Sequence, residues 1–440
     1  MLSKYLNTIA FALLDNISKI LSVLVVNAVI ARILDVAGFG QYSYYVFLSS
    51  FFISISKFGL ENVILLESAR QPKDKFLGIV NSAFLLRILV SIVLTFVAIL
   101  SYQHLSIPLK YLFIVVLPLF FGTFDFSELY FLARQKNKII TISKFILSIF
   151  FLLLRVSLLF IELDNVFEIV ILLYVFDFLC TMVLHGIMLS KEKIHVGLRY
   201  VNKNILFVLF KRGSLLLGAG MSIFIIMRIN TFFIEKYCSF YDLGIYSPAI
   251  KVCELSNAFI ILIINVLTPV IVKDQLEVEH KTGIYSFLFW CSLICIFPLF
   301  IFSKFFLLIL FGDKYVDGEI ILRITLLSIP FVALGMLQGR FFVNQMKDRL
   351  NLIRMLISAV FTLLMSYILI REYGIEGAAY AYLFSQVFTN FFVDLFFKET
   401  IRDFLIKTSA IAGLKNTVEL IKMIFKTYYK NGNKDIIDRV

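Results

Sequence analysis

Of the 440 residues, 60% are hydrophobic and only 16% are charged, where soluble domains run near half and a quarter, so a water-soluble globular fold is excluded. The net charge of +12 invites a nucleic-acid reading, but the basic residues sit in short loops between apolar runs, which is the placement of membrane topology. Cys180, Cys253, Cys291 and Cys295 lie in apolar runs and Cys238 stands alone, so no disulfide framework is expected. His104, His185, His195 and His280 lack metal-ligand spacing, and no metal, cofactor or nucleic-acid partner is expected.

About twelve transmembrane helices are predicted, over 9–34, 42–66, 76–101, 109–132, 139–162, 166–190, 213–235, 244–272, 283–311, 320–343, 351–370 and 376–397. Runs such as Ile88–Leu100 and Phe145–Leu154 show no apolar/polar alternation, which argues against a barrel. The first run has span length and no small-residue cleavage site, so a cleavable signal peptide is not expected. Turn formers fill the breaks: Gly38, Gly40, Pro72, Pro108, Asn137, Gly244, Gly312 and Gly374.

Alternate loops differ sharply in basic residues. Sixteen Lys and Arg fall in 67–75, 133–138, 191–212, 273–282 and 344–350, and only Lys236, Lys314 and Arg371 fall in the opposite set. The first set, and with it both termini, is expected to be cytoplasmic. The chain then reads as an N-terminal six-helix bundle (1–190), a basic linker (191–212), a C-terminal six-helix bundle (213–398) and a tail (399–440). The halves are weakly alike. GFGQYSYY (38–45) matches LGIYSPA (243–249), and FLARQKNK (131–138) matches FVNQMKDR (342–349), in the same order and at similar offset. Internal repeats of this kind mark alternating-access transporters. In the tail, Ile401, Phe404, Leu405, Leu414, Val418, Ile421, Ile424 and Phe425 recur at helical spacing with Lys407, Lys415, Lys422 and Lys426 between them. This pattern predicts a basic amphipathic helix on the cytoplasmic lipid surface.

Three segments carry a family likeness: ARILDVAGFGQYSYY (31–45), DLGIYSPAIKVCE (242–254), and LFGDKY (310–315) followed by YGIEGAAYA (373–381). With these the chain resembles the polysaccharide flippases for O-antigen and capsule repeat units, within the multidrug/oligosaccharidyl-lipid/polysaccharide exporter superfamily. The resemblance implies an all-α polytopic membrane protein with two pseudo-symmetric six-helix bundles around a central cavity. It implies an oligosaccharide on undecaprenyl diphosphate as substrate, a bacterial inner-membrane location, cation coupling, and polymerase and chain-length regulator as partners. A drug/cation antiporter of the same superfamily is the alternative, but its cavity should be anionic. A polysaccharide polymerase or ligase fits less well, because no large outer loop carries His or Arg.

Ionisable groups inside spans are costly and tend to face cavities or partners. The candidates are Lys19, Lys57, Glu61, Arg87, Asp125, Glu128, Lys144, Arg155, Asp177, Arg228, Lys251, Glu254, Arg354 and Asp394. Arg87, Arg155, Arg228 and Lys251 are candidates to bind an anionic substrate, since guanidinium is a bidentate phosphate donor. Bridges between helices are the structural alternative. Asp125, Glu128, Asp177 and Glu254 are candidates for ion coupling, with partnership to Arg87 or Arg155 as the alternative. Lys57 with Glu61 and Lys251 with Glu254 are spaced to pair on one helix face. Pro118, Pro269, Pro298 and Pro330 fall within spans and can kink them.

Overall fold

The structure is a computed structural model describing residues 23–413 apart from 71–72, 135–136, 162, 193, 195–200, 274–277 and 346. Hydrocarbon offers no partner to a backbone N–H or C=O, so a chain of this composition satisfies its backbone inside helices. No strand occurs among the described residues. Among the described residues, eight helices are long and apolar enough to cross a membrane, or up to nine if the bent pair Asp313–Leu326 and Ile329–Asn344 is one span. The outer surface is correspondingly apolar: Phe160, Ile294 and Phe207 are 83%, 72% and 68% exposed, which lipid tolerates and water does not. The chain is a multi-pass, all-helical membrane protein.

Contacts divide the described residues into two compact units. The first runs to Ser247 and includes Leu310–Tyr315; the second comprises Pro248–Ile309 and the residues from Val316.

In the first unit, α1 (Val23–Ile33) is followed by α2 (Val36–Ser56), α3 (Glu61–Arg70) and α4 (Lys73–Ser101). Next come α5 (Phe113–Phe121), α6 (Phe126–Ala133), α7 (Asn137–Ser157), α8 (Val166–Lys191) and α9 (Lys203–Tyr237). The expected span 109–132 is broken in its middle: α5 passes through Pro118 into the 3-10 turn Gly122–Asp125 before α6 begins. That break sets Asp125 at a helix junction. α2 packs on α5 and α9, α4 on α5 and α9, and α8 on α5 and α7. α9, which the sequence reading assigns to the second bundle, thus packs within the first unit. Phe58, Leu60, Ile64, Phe76, Val80, Phe126, Tyr130 and Ile140 form a common apolar cluster near the α2–α3 turn.

α10 (Phe240–Lys273) starts in the first unit and continues in the second. The second unit contains α11 (Val278–Ile301), α12 (Ser303–Phe311, ending in the first unit), α13 (Glu319–Leu326) and α14 (Ile329–Asn344). α15 (Asp348–Asn390) and α16 (Ile401–Ala412) complete it. α15 holds the last two expected spans, separated at Gly374, whose φ of 58° and ψ of −135° break the helix where glycine alone adopts that backbone freely. Pro330 is not mid-helix: it opens α14 after a 45° bend from α13, where its missing N–H costs nothing.

The matched repeat segments meet in the first unit. A Cβ at Gly40 would lie 1.8 Å from the Phe240 carbonyl oxygen, and one at Gly244 would lie 2.0 Å from that of Val36. The first turns of α2 and α10 therefore cross backbone to backbone, and only glycine fits at either position. Both turns are capped: Asp35 Oδ1 accepts from Gly38 N at 2.9 Å, and Ser239 Oγ accepts from Asp242 N at 3.1 Å. LFGDKY joins the same place. Tyr315 is fully buried, donates its hydroxyl to the Ala31 carbonyl at 2.8 Å, and packs edge-on against Phe39 at 5.8 Å.

Gly40→Ala and Gly244→Ala should each force this crossing apart and lower the thermal midpoint of the purified protein by several degrees. At Gly218 and Gly220, where a Cβ meets nothing within 4 Å, the same change should be neutral or stabilising by up to about 1 kcal/mol, since both lie inside α9. Equal loss at all four positions would contradict the close crossing.

Candidate functional site

Arg87 sits on α4 with 1% exposure, deep in an apolar helix. A guanidinium cannot shed its proton, so burial demands a counter-charge. The helix junction supplies one: Arg87 Nη1 is ion-paired with Asp125 Oδ1. The other oxygen of Asp125 meets Lys57 Nζ at 3.1 Å, and Lys57 meets Glu61 at 2.7 Å. Lys57 caps the C-terminus of α2 and Glu61 opens α3, so one network ties four elements. Nearby, Lys144 of α7 is paired with Glu128 of α6. His185 of α8 is fully buried, within electrostatic reach of Lys144, Glu128 and Asp125, and neither ring nitrogen has a hydrogen-bond partner among the described residues.

Arg155 forms a second centre. It is 2% exposed on α7, and its Nη2 donates to Asp177 Oδ2 of α8 at 3.0 Å. The Asp177 side chain is 28% exposed, so this pair reaches a surface as the arginine itself does not. Tyr42 of α2 and Tyr174 of α8 lie edge to face at 6.1 Å, with Tyr42 in the field of both Arg155 and Asp177. Lys144 and Arg155 are eleven residues apart, about three turns, so they share one face of α7 roughly 16 Å apart. Arg87 and Arg155 therefore belong to two centres at different heights.

The guanidiniums are only partly used. Nε and Nη2 of Arg87, and Nε and Nη1 of Arg155, have no hydrogen-bond partner among the described residues. Arg228 is half-buried on α9, two residues before Asn230, which donates to the Tyr246 hydroxyl at 3.1 Å. Lys251 and Glu254 pair at 3.6 Å on α10 within the second unit. Of the eight candidates, the structure pairs Arg87 with Asp125, Arg155 with Asp177 and Lys251 with Glu254. It pairs Glu128 with Lys144.

The sequence reading missed a polar centre in the second unit. Lys407, expected on a lipid surface, is fully buried against Asp394, Arg354 and Gln338. α16 turns Ile406, Lys407 and Ala410 inward and leaves Ile401 and Leu405 outside, because packing on α11 selects that face. The i, i+4 spacing of Asp403 and Lys407 on the side of Ala410 was the available signal. Residues 414–440 of the expected tail helix, and Lys19, lie outside the described residues.

A polytopic helical chain with its interior charges matched between helices is built as membrane transporters are. The family model described as polysaccharide biosynthesis protein matches residues 6–275, more than half of the chain, and the chain belongs to that family. No curated protein matches it in sequence. Among solved structures, the lipid II flippase MurJ in an inward closed conformation superposes with TM-score 0.63 at 12% identity, over 96% of this chain and 99% of that one. An inward-facing multidrug resistance MATE family transporter of the MOP superfamily gives TM-score 0.63 at 13% identity, over 92% and 96%. The Vibrio cholerae MATE transporter VcmN in its bent form gives 0.54 at 12%, over 92% and 98%. The fold is that of these transporters.

Asp125→Asn removes the counter-charge from a buried arginine and should cost about 3–5 kcal/mol, read as a lower thermal midpoint in detergent. Arg87→Met with Asp125→Leu removes both charges and should recover most of that loss. A double variant as unstable as the single one would show that the pair is not the source.

Proposed function

We propose that this protein carries an oligosaccharide linked to undecaprenyl diphosphate from the cytoplasmic to the outer leaflet of the bacterial inner membrane, by alternating access coupled to a cation gradient. The product would feed surface polysaccharide assembly, with a polymerase and a chain-length regulator acting after it. Membership in the polysaccharide biosynthesis protein family is the observation that carries this reading. In this reading Arg87, Arg155, Arg228 and Lys251 are separate contacts for the substrate's anionic groups, its diphosphate or an acidic sugar, and not one common site. The unused N–H groups of Arg87 and Arg155 are suited to phosphate oxygens, to which a guanidinium donates in a planar fork. Asp125, Glu128, Asp177 and Glu254 are assigned to ion coupling, because a carboxylate whose cationic partner turns to an arriving anion is left to take up a proton or a metal cation.

Deletion of the gene should abolish display of a surface polysaccharide and leave lipid-linked repeat units on the inner leaflet. Normal display in a strain with no second flippase would end the proposal. Arg155→Ala should cut export at least ~10-fold with membrane protein level kept, and Arg155→Lys should restore part of it, since charge remains without the fork.

The assigned topology has its own test. In a Cys238→Ser background, a membrane-impermeant thiol reagent added from outside should label Asp164→Cys and not Lys203→Cys. The reverse pattern would invert the orientation.

A further inference from the structure

The polar centre of the second unit is assembled from four elements. Asp394 lies in the 3-10 turn Phe392–Phe396 after α15 and is fully buried. Its Oδ1 is ion-paired with Arg354 Nη2 at 2.5 Å, and its Oδ2 with Lys407 Nζ at 2.8 Å. The Gln338 amide of α14 donates to both carboxylate oxygens, at 3.0 and 3.1 Å. Its own oxygen accepts from Arg354 at 2.8 Å and from Lys407 at 2.6 Å. Lys407 donates thirdly to the Asn390 carbonyl at 2.6 Å. Thr400 fixes the turn by donating to the Asp394 carbonyl at 2.7 Å.

Charge in this centre does not balance. Two cations share one buried carboxylate. The acid on α16 itself, Asp403, is engaged by Lys281 of α11 at 2.5 Å and does not offset the excess. Tyr285 of α11 is also within electrostatic reach of Asp394, Asp403 and Arg354, and as a phenol it carries no charge at neutral pH. A buried site with surplus positive charge relaxes by losing a proton. Arginine cannot lose one, whereas a desolvated lysine can. Lys407 is also the group that α16 brings to the site, since Arg354, Asp394 and Gln338 belong to the elements it packs upon.

We infer that Lys407 is a proton-binding site of the second unit, and that docking of α16 onto that unit is linked to release of its proton. The proposal is independent of what the protein transports. Burial pushes the Lys407 ammonium down to about 8, against an ordinary value of 10.5, with Asp394 opposing the shift. The docked lysine thus binds its proton more weakly than the undocked one. Docking is strongest above about 10.5, where neither state is protonated, and weakens as pH falls toward about 8. Below that both states carry the proton and the dependence ends. A neutral Lys407 amine still reaches Gln338 and Asn390, while Arg354 and the Gln338 amide remain on Asp394.

The test is amide hydrogen exchange of α16 in the full chain, in lipid nanodiscs, normalised to the intrinsic rate at each pH. Protection of 404–412 in the wild type should rise about ten-fold or more between pH 8 and 10.5, with amides of α15 as internal reference. Lys407→Met, neutral throughout, should be well protected and flat with pH. Lys407→Arg, charged throughout, should be poorly protected and flat. A wild type without the rise, or a rise retained in either variant, overturns the inference. Should Lys407→Met fail to accumulate, the wild-type and arginine profiles decide it.

Discussion

An ion left alone in hydrocarbon costs several kcal/mol, and this one constraint selects which helices lie together within each unit. Arg87 cannot be buried on α4 unless the α5–α6 junction brings Asp125 to it. Arg155 holds α7 to α8 through Asp177. Arg354 and Lys407 hold α15 and α16 to the turn that carries Asp394. In lipid the apolar surfaces of helices gain little by meeting one another, because the tails are as apolar as leucine. Charge pairing and close backbone approach then supply the specificity that hydrophobic burial supplies in water.

Close approach is seen at the crossing of α2 and α10. Gly40 and Gly244 occupy matched positions in the two weakly similar halves, and each lies against a carbonyl of the other's segment. An internal repeat explains why the same small residue stands on both sides of one contact. Tyr315, from the LFGDKY segment, seals the same region by bonding to Ala31.

The helical fold was legible because span length and loop charge are properties of contiguous sequence. Pairs at i, i+3 or i, i+4, such as Lys57 with Glu61 and Lys251 with Glu254, were legible for the same reason. Arg87 with Asp125 and Arg155 with Asp177 were visible only as charges needing partners. Separations of 38 and 22 residues leave the partner to tertiary packing. Lys407 was misplaced by a general expectation, that lysine beside a membrane points to water. The burial of α16 on α11 overrode it, since Asp394, Gln338 and the Asn390 carbonyl give the ammonium three acceptors.

Pairing also bears on what a buried arginine can do in transport. Arg155 gives one nitrogen to Asp177 and keeps two without partners. A diphosphate carries more negative charge than a carboxylate, and in a low-dielectric interior it competes for the guanidinium on favourable terms. Asp177, which reaches the surface where Arg155 does not, is the member of the pair able to exchange its partner for solvent or a proton. Under the proposed function, anion entry at Arg155 therefore frees a carboxylate, and charge balance then draws in a cation.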